Sequence, residues 1–227
     1  MIEFEHVRKR YENGYEALSD VSFEIGKGEL VFLLGHSGAG KSTLLKLISL
    51  IERPSSGKLM LDGQNIAHLS PRDVPVLRRR IGMIFQSPML LNDRTVFDNV
   101  ALPLMVAGYH GGDIKKRVRA ALDQVGLLHR EMSWPLTLSG GEQQRVGIAR
   151  AVVGKPQIIL ADEPTGNLDP GLSLEVMNLF ERFNQVGVTT IVATHDMEMV
   201  RRFPYQQLVL HEGIMTKAPA ANALERA

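Results

Sequence analysis

The sequence predicts an α/β fold: a mostly parallel β-sheet with helices on both faces, antiparallel strands at the N-terminal side, and an inserted helical subdomain. Three observations lead there. Apolar strand-like segments alternate with helix-like ones along most of the 227 residues, the rhythm of parallel strands buried on both sides. One such segment runs straight into a glycine-rich loop and then into a helix. Another ends in two adjacent acids, and the carboxyl edge of a parallel sheet is where ligands bind.

Taken in order, residues 2–7 and 21–25 alternate apolar and polar side chains as strands do. Residues 29–34 read as a buried strand. Then come Gly35, His36, Ser37, Gly38, Ala39, Gly40, Lys41 and Ser42, spelling G-x-x-x-x-G-K-S. Glycines let the backbone curl so that successive N–H groups point into one cavity, and the helix predicted over 41–51 adds its free donors and positive dipole end. Lys41 would reach the β- and γ-phosphates, and the Ser42 hydroxyl would hold Mg²⁺. Residues 54–57 make a turn before a strand over 58–61. A helix over 73–80 leads to a short strand over 81–85.

From there the pattern changes. Residues 95–107 and 114–125 are helical, with 108–112 as the loop between them. Ile114, Val118, Ala121, Leu122 and Val125 share one face by 3.6 periodicity. The chain therefore divides into a core over 1–86 and 137–217, a helical subdomain over about 87–136, and an Ala-rich tail over 218–227 read as disordered. Beyond the insertion, 143–153 is helical, 158–161 is a buried strand, 172–183 is an amphipathic helix, 189–193 is a strand and 207–211 is the last strand.

The strand over 158–161 ends in Asp162 and Glu163. Asp162 suits the Mg²⁺ shell, and Glu163 is placed to polarise an attacking water. The helix over 143–153 is preceded by Leu138-Ser139-Gly140-Gly141-Glu142, a hydroxyl and exposed N–H groups at a helix start. That is either a second anion site or a plain N-cap.

Composition narrows the class. With 26 Lys and Arg against 25 Asp and Glu, the net charge is +1, so the bulk basic field of a dedicated nucleic-acid binder is absent. No cysteine is present, which excludes a disulfide framework and a thiolate zinc site. The N-terminus lacks the basic and apolar regions of a signal peptide, and no run of about 18 apolar residues exists to span a membrane. Membrane association is expected only through a partner.

The motif set resembles the ATP-binding-cassette (ABC) ATPases. The six-residue run from Leu138 to Gln143, about 20 residues before the acid pair, looks like that family's signature. The resemblance implies a P-loop (RecA-like) core and a head-to-tail homodimer with two ATP molecules, each meeting the phosphate loop of one copy and Ser139, Gly140, Gly141 and Glu142 of the other. It also implies that Tyr11 stacks on adenine (the alternative is an ordinary edge-strand aromatic) and that Thr43 follows Ser42 in the nucleotide site. Gln86 would contact Mg²⁺ or the water, Asn167-Leu168-Asp169 would cross the dimer interface, and His195 would bond the γ-phosphate.

Within the family, the stretches 35–40, 80–86, 93–100, 142–151 and 161–169 look like the branch that serves bacterial cell division. That branch implies an FtsX-like membrane partner, contact with other division-site proteins, and a peripheral place on the cytoplasmic face of the inner membrane at the septum. ATP-driven closure would signal to cell-wall hydrolases. The alternative is the ATPase subunit of a lipoprotein-release or efflux transporter. Phe85, Met89, Leu90 and Leu91 are candidates either for the partner groove or for subdomain core. Arg78-Arg79-Arg80 is either a lipid contact or a solvated helix face.

Overall fold

The computed structural model describes residues 2–166 and 168–217; the tail over 218–227 and Asn167 lie outside the described residues. Two sheets form. The first is antiparallel and contains β1 (Ile2–Arg10), β2 (Glu16–Ile25), β4 (Ser56–Leu61) and the two-residue β5 (Gln64–Asn65), in the order β2-β1-β4-β5. The second contains β3 (Leu30–Leu34), β6 (Ile81–Ile84), β7 (Ile158–Asp162), β8 (Thr189–Thr194), β9 (Gln206–His211) and β10 (Ile214–Lys217), in the order β10-β9-β3-β8-β7-β6. Its strands pair parallel except for β10, which runs antiparallel to β9.

Side-chain alternation splits the parallel strands between two cores. Val31 and Leu33 of β3, Ile158 and Leu160 of β7, and Ile191 and Ala193 of β8 face one side. There they meet α1 (Lys41–Ile48) and the antiparallel sheet, so α1 lies between the two sheets. Leu44, Leu45, Leu47 and Ile48 of α1 are all at most 1% exposed, and truncating any one of them to Ala would cost about 2–5 kcal/mol. Phe32, Ile159, Ala161 and Val192 face the other way. They pack on α3 (Val96–Val106), α4 (Gly111–Gln124), α5 (Gly140–Val152), α6 (Pro170–Gln185) and α7 (Met197–Arg201). No helix among the described residues is long and apolar enough to cross a membrane.

Several expectations need correction. Residues 108–112 are not all loop: α4 begins at Gly111 behind His110. A first turn has free N–H groups in any case, and Asp113 there favours the dipole. The strand over 207–211 is not the last, because Glu212 (φ 47°) and Gly213 (φ 76°) turn the chain into β10. Two positive-φ residues are what a tight hairpin requires. The first helix ends at Ile48 rather than 51. Beyond it Leu50 adopts φ 50°, and the short α2 (Val74–Arg78) supplies a guanidinium that donates to the carbonyls of Ser49 (3.2 Å) and Leu50 (2.8 Å). Arg80 donates to Gln157 (2.8 Å) and also pairs with Asp62. Arg78 and Arg80 of the arginine run are therefore engaged by bonds within the chain.

Candidate active site

The phosphate loop joins β3 to α1. Only glycine fits at two of its positions: a Cβ on Gly35 would lie 2.3 Å from the Leu210 carbonyl oxygen, and one on Gly40 2.6 Å from that of Ala17. Gly40 also takes φ 106° as the N-cap of α1, and no side chain caps that helix. Its first-turn N–H groups are left for an anion. Ala39 is turned inward, 1% exposed, and its N–H bonds to the His36 carbonyl at 3.1 Å.

A cleft of about 310 Å³ opens over this loop, lined by His36, Ser37, Gly38, Gly40, Lys41, Ser42 and Thr43 together with Gln86, Asp162, Glu163 and His195. Three strand ends deliver the last four: Gln86 follows β6, Asp162 ends β7, and His195 follows β8. Glu163 adopts φ 49° and donates its N–H to the Ala193 carbonyl at 2.9 Å. A left-handed glutamate is unusual and costs of order 1–3 kcal/mol, the kind of strain that functional sites hold.

Glu163 joins the two halves of the cleft. Its Oε1 lies 3.3 Å from Lys41 Nζ and 2.9 Å from His195 Nδ1. A carboxylate accepts here, so Nδ1 donates to Glu163, and Nε2 is left for another partner. Lys41, 6% exposed, also donates to the carbonyls of Gly35 (2.5 Å) and His36 (3.2 Å). Its charge is thus held by the loop it serves. Glu163 and His195 also wall a second cavity of about 440 Å³, shared with Thr165, Leu168, Ser173 and Asp196.

The oxygen donors of Ser42, Gln86 and Asp162 in one cleft form a hard set of the type Mg²⁺ takes. Among the described residues no group of three or more His, Cys, Asp or Glu could hold a metal. The set therefore suits an ion that draws its remaining ligands from phosphate and water.

Tyr11 sits at the border of this cleft rather than among its lining residues. Its hydroxyl is 3.2 Å from Thr43 Oγ1, and its ring is stacked 6.4 Å from that of Tyr15 at 13°. Tyr15 does line the cleft and donates its hydroxyl to the Gly38 carbonyl at 3.2 Å. Sequence reasoning passed over Tyr15. The available signal was Asn13-Gly14, a turn that returns residue 15 to residue 11, as the Tyr11 N–H to Tyr15 carbonyl bond of 2.8 Å records.

Ser139, Gly140, Gly141, Glu142 and Asp169 lie outside this cleft. The helix there starts at Gly140, three residues earlier than expected, with Ser139 as its N-cap. Ser139 Oγ accepts from the Glu142 N–H (3.2 Å) and Glu142 Oε2 from the Ser139 N–H (2.8 Å), a complete capping box. The Ser139 backbone bond, aided by Arg130 and Arg145, holds the Glu142 carboxyl below the usual carboxylate range. Asp169 caps α6 by accepting from the N–H groups of Gly171 (3.0 Å) and Leu172 (3.1 Å). The two helix starts abut: a Cβ on Gly141 would lie 2.7 Å from Leu172 Cδ1.

The body of α5 grips the loop that carries Gln86. Gln144 Nε2 donates to the Phe85 carbonyl at 3.2 Å, and Gly147 leaves a Cβ only 3.1 Å of room against Pro88. The Arg150 guanidinium donates to the carbonyls of Met89 (3.0 Å) and Pro88. Burial pushes the Arg150 pKa down. Of the four apolar residues near Gln86, Leu90 packs on the core, whereas Met89 and Leu91 are exposed. Phe85 lines a separate groove of about 670 Å³, together with Pro103, Leu104, Val106, Tyr109 and Arg150.

A family profile described as "ABC transporter" matches residues 18–166. The chain is 61% identical over 213 residues to the cell division ATP-binding protein FtsE of Escherichia coli K12, covering 94% of this chain and 96% of that one. It is 45% identical over 217 residues to the protein of the same name from Bacillus subtilis, covering 96% and 95%. Its fold is similar, at a TM-score of 0.88 and 34% identity, to a dimeric ATP-binding cassette in a post-hydrolysis state bound to ADP and Pi, covering 96% of this chain and 98% of that one.

Proposed function

The chain belongs to the ABC transporter family, and from that premise we propose that it is the ATP-binding and ATP-hydrolysing subunit of an FtsEX-type complex in bacterial cell division. The observation that carries the reading is Glu163, placed between Lys41 at the phosphate loop and His195 at the end of β8. The identity to proteins named for cell division supplies the setting.

In this reading the free N–H groups at the start of α1 and the Lys41 ammonium bind the β- and γ-phosphates of ATP. Phosphate oxygens replace the Gly35 and His36 carbonyls as Lys41's partners. Ser42, Asp162 and Gln86 would hold Mg²⁺, which neutralises phosphate charge when bound. Glu163 orients the attacking water and takes its proton. His195, fixed through Nδ1, donates Nε2–H to a γ-phosphate oxygen as the doubly protonated ring. The Tyr11–Tyr15 edge borders the base.

Ser139, Gly140, Gly141 and Asp169 lie outside the cleft of their own chain. They act on the nucleotide of a second copy, so hydrolysis requires a head-to-tail homodimer. The groove of Phe85, Leu104, Val106 and Tyr109 receives an FtsX-like membrane protein, which holds the subunit on the cytoplasmic face of the inner membrane at the septum and passes closure on to cell-wall hydrolysis.

Light scattering on the Glu163→Gln variant tests the assembly: ATP with Mg²⁺ should double its mass, and ADP should not. A mass that stays monomeric with ATP, or a wild-type rate linear in protein concentration at full monomer, refutes it. Affinity capture of the same variant from detergent-solubilised membranes tests the setting. Recovery of a lipoprotein-release or efflux permease in place of an FtsX-like protein would keep the chemistry and overturn the role.

A further inference from the structure

One cavity lies well apart from the phosphate cleft. It measures about 700 Å³ and lies at the amino ends of β3, β7 and β8, whereas the cleft lies at their carboxyl ends. Its apolar lining comes from Val152, Val153, Ile159, Phe183, Val186 and Val188. The polar lining is lopsided. Lys27 precedes β3, Lys116 and Arg117 stand on α4, and Lys155 precedes β7, against the single carboxylate of Asp113. A chain whose net charge is only +1 has concentrated four cations here. Arg117 is engaged over the Tyr109 ring at 4.7 Å. The three lysines have no ion-pair partner among the described residues, where lysine ion pairs belong to Lys9, Lys41 and Lys58.

We propose that this cavity is a docking site for an acidic peptide segment of a partner protein, one that carries aliphatic side chains between its carboxylates. Charge complementarity selects the acid. The three lysines come from three different elements, so they suit carboxylates spread along a chain better than one compact phosphate. The floor is largely aliphatic and curved, which favours Leu, Ile or Val side chains over stacked nucleobases. The site lies across the C-terminal end of α5 from the groove assigned to the membrane partner, and Pro156 lines both. Neither the cavity nor its charge depends on the ATPase reading.

The test is a random 12-residue peptide library displayed on phage, panned on the full chain and counter-selected on Lys27→Glu/Lys116→Glu/Lys155→Glu. The expected consensus pairs Asp or Glu with Leu, Ile or Val. By fluorescence anisotropy, the selected peptides should lose at least about tenfold in affinity on the triple variant, and weaken as salt rises. A second variant, Val186→Asp, alters a side chain already 78% exposed and should lower affinity in the same direction with the fold intact. ATP turnover of both variants should stay within about twofold of wild type, since neither touches the cleft. Peptides without acids, peptides that bind the triple variant as tightly as wild type, or no enrichment at all would overturn the proposal.

Discussion

The helix that follows the phosphate loop and the helix that follows Ser139 both have a glycine at the start, Gly40 as the N-cap of α1 and Gly140 as the first residue of α5, yet their ends are finished differently. Gly40 offers α1 no side-chain cap and holds the chain at φ 106°. Ser139 and Glu142 close the start of α5 with reciprocal bonds of 3.2 and 2.8 Å. An open helix start spends its donors on whatever binds, whereas a closed one has spent them on itself. Substitutions at the first should therefore register in nucleotide affinity and turnover, and substitutions at the second should register in stability until another copy arrives.

The largest effect expected is at Glu163. Glu163→Gln should lower turnover roughly 10²–10⁴-fold while ATP still binds; phosphate release within threefold of wild type would remove Glu163 from the chemistry. Next comes Lys41→Ala, which should weaken ATP binding by about 10–100-fold through loss of a charge-assisted contact. Calorimetric titration with unchanged affinity would break the reading of α1 as the open end. Ser139→Ala sharpens the contrast. It should cost about 1 kcal/mol in urea unfolding yet leave nucleotide affinity of the monomer within twofold. A tenfold loss in the monomer would mean that both helix starts serve one site within a single chain.

The smallest effect is a pH dependence. The Glu142 carboxyl is held below its ordinary value of 4.5, so its contribution is present above that value and is lost as pH falls through the folded one. Denaturation midpoints of wild type and Glu142→Gln should differ most near neutrality and converge as pH falls through the folded value. A constant gap would detach the cap from this carboxylate.

Much of this was legible beforehand where the cause is local. A buried strand, a glycine loop and an amphipathic helix follow one another in the chain, so β3, the loop and α1 could be read off, as could the acid pair ending β7. The start of α5 was misjudged by three residues because glycine is a poor helix former, and a capping box can override that preference. Tyr15 was missed because its role depends on a turn folding it back beside Tyr11. The contact between Glu163 and His195 spans 32 positions and two strand ends. Register fixes it, with Asp162 paired to Ala193, and no spacing rule within either strand contains it.

The grip of α5 on the Gln86 loop has a bearing on how the sequence can change over time. Gly147 leaves a Cβ 3.1 Å from Pro88, and Arg150 is committed to the carbonyls of residues 88 and 89. Positions 88, 147 and 150 thereby share one packed contact: a side chain gained at 147 requires Pro88 to give by a few tenths of an ångström. Alanine at 147 would gain about 1 kcal/mol of helix propensity on an isolated helix, and here the crowding opposes it. A double-mutant cycle on Gly147→Ala and Pro88→Gly, which removes the crowding Cβ, should read a coupling of about 0.5–3 kcal/mol, whereas strict additivity would show that the two positions do not interact.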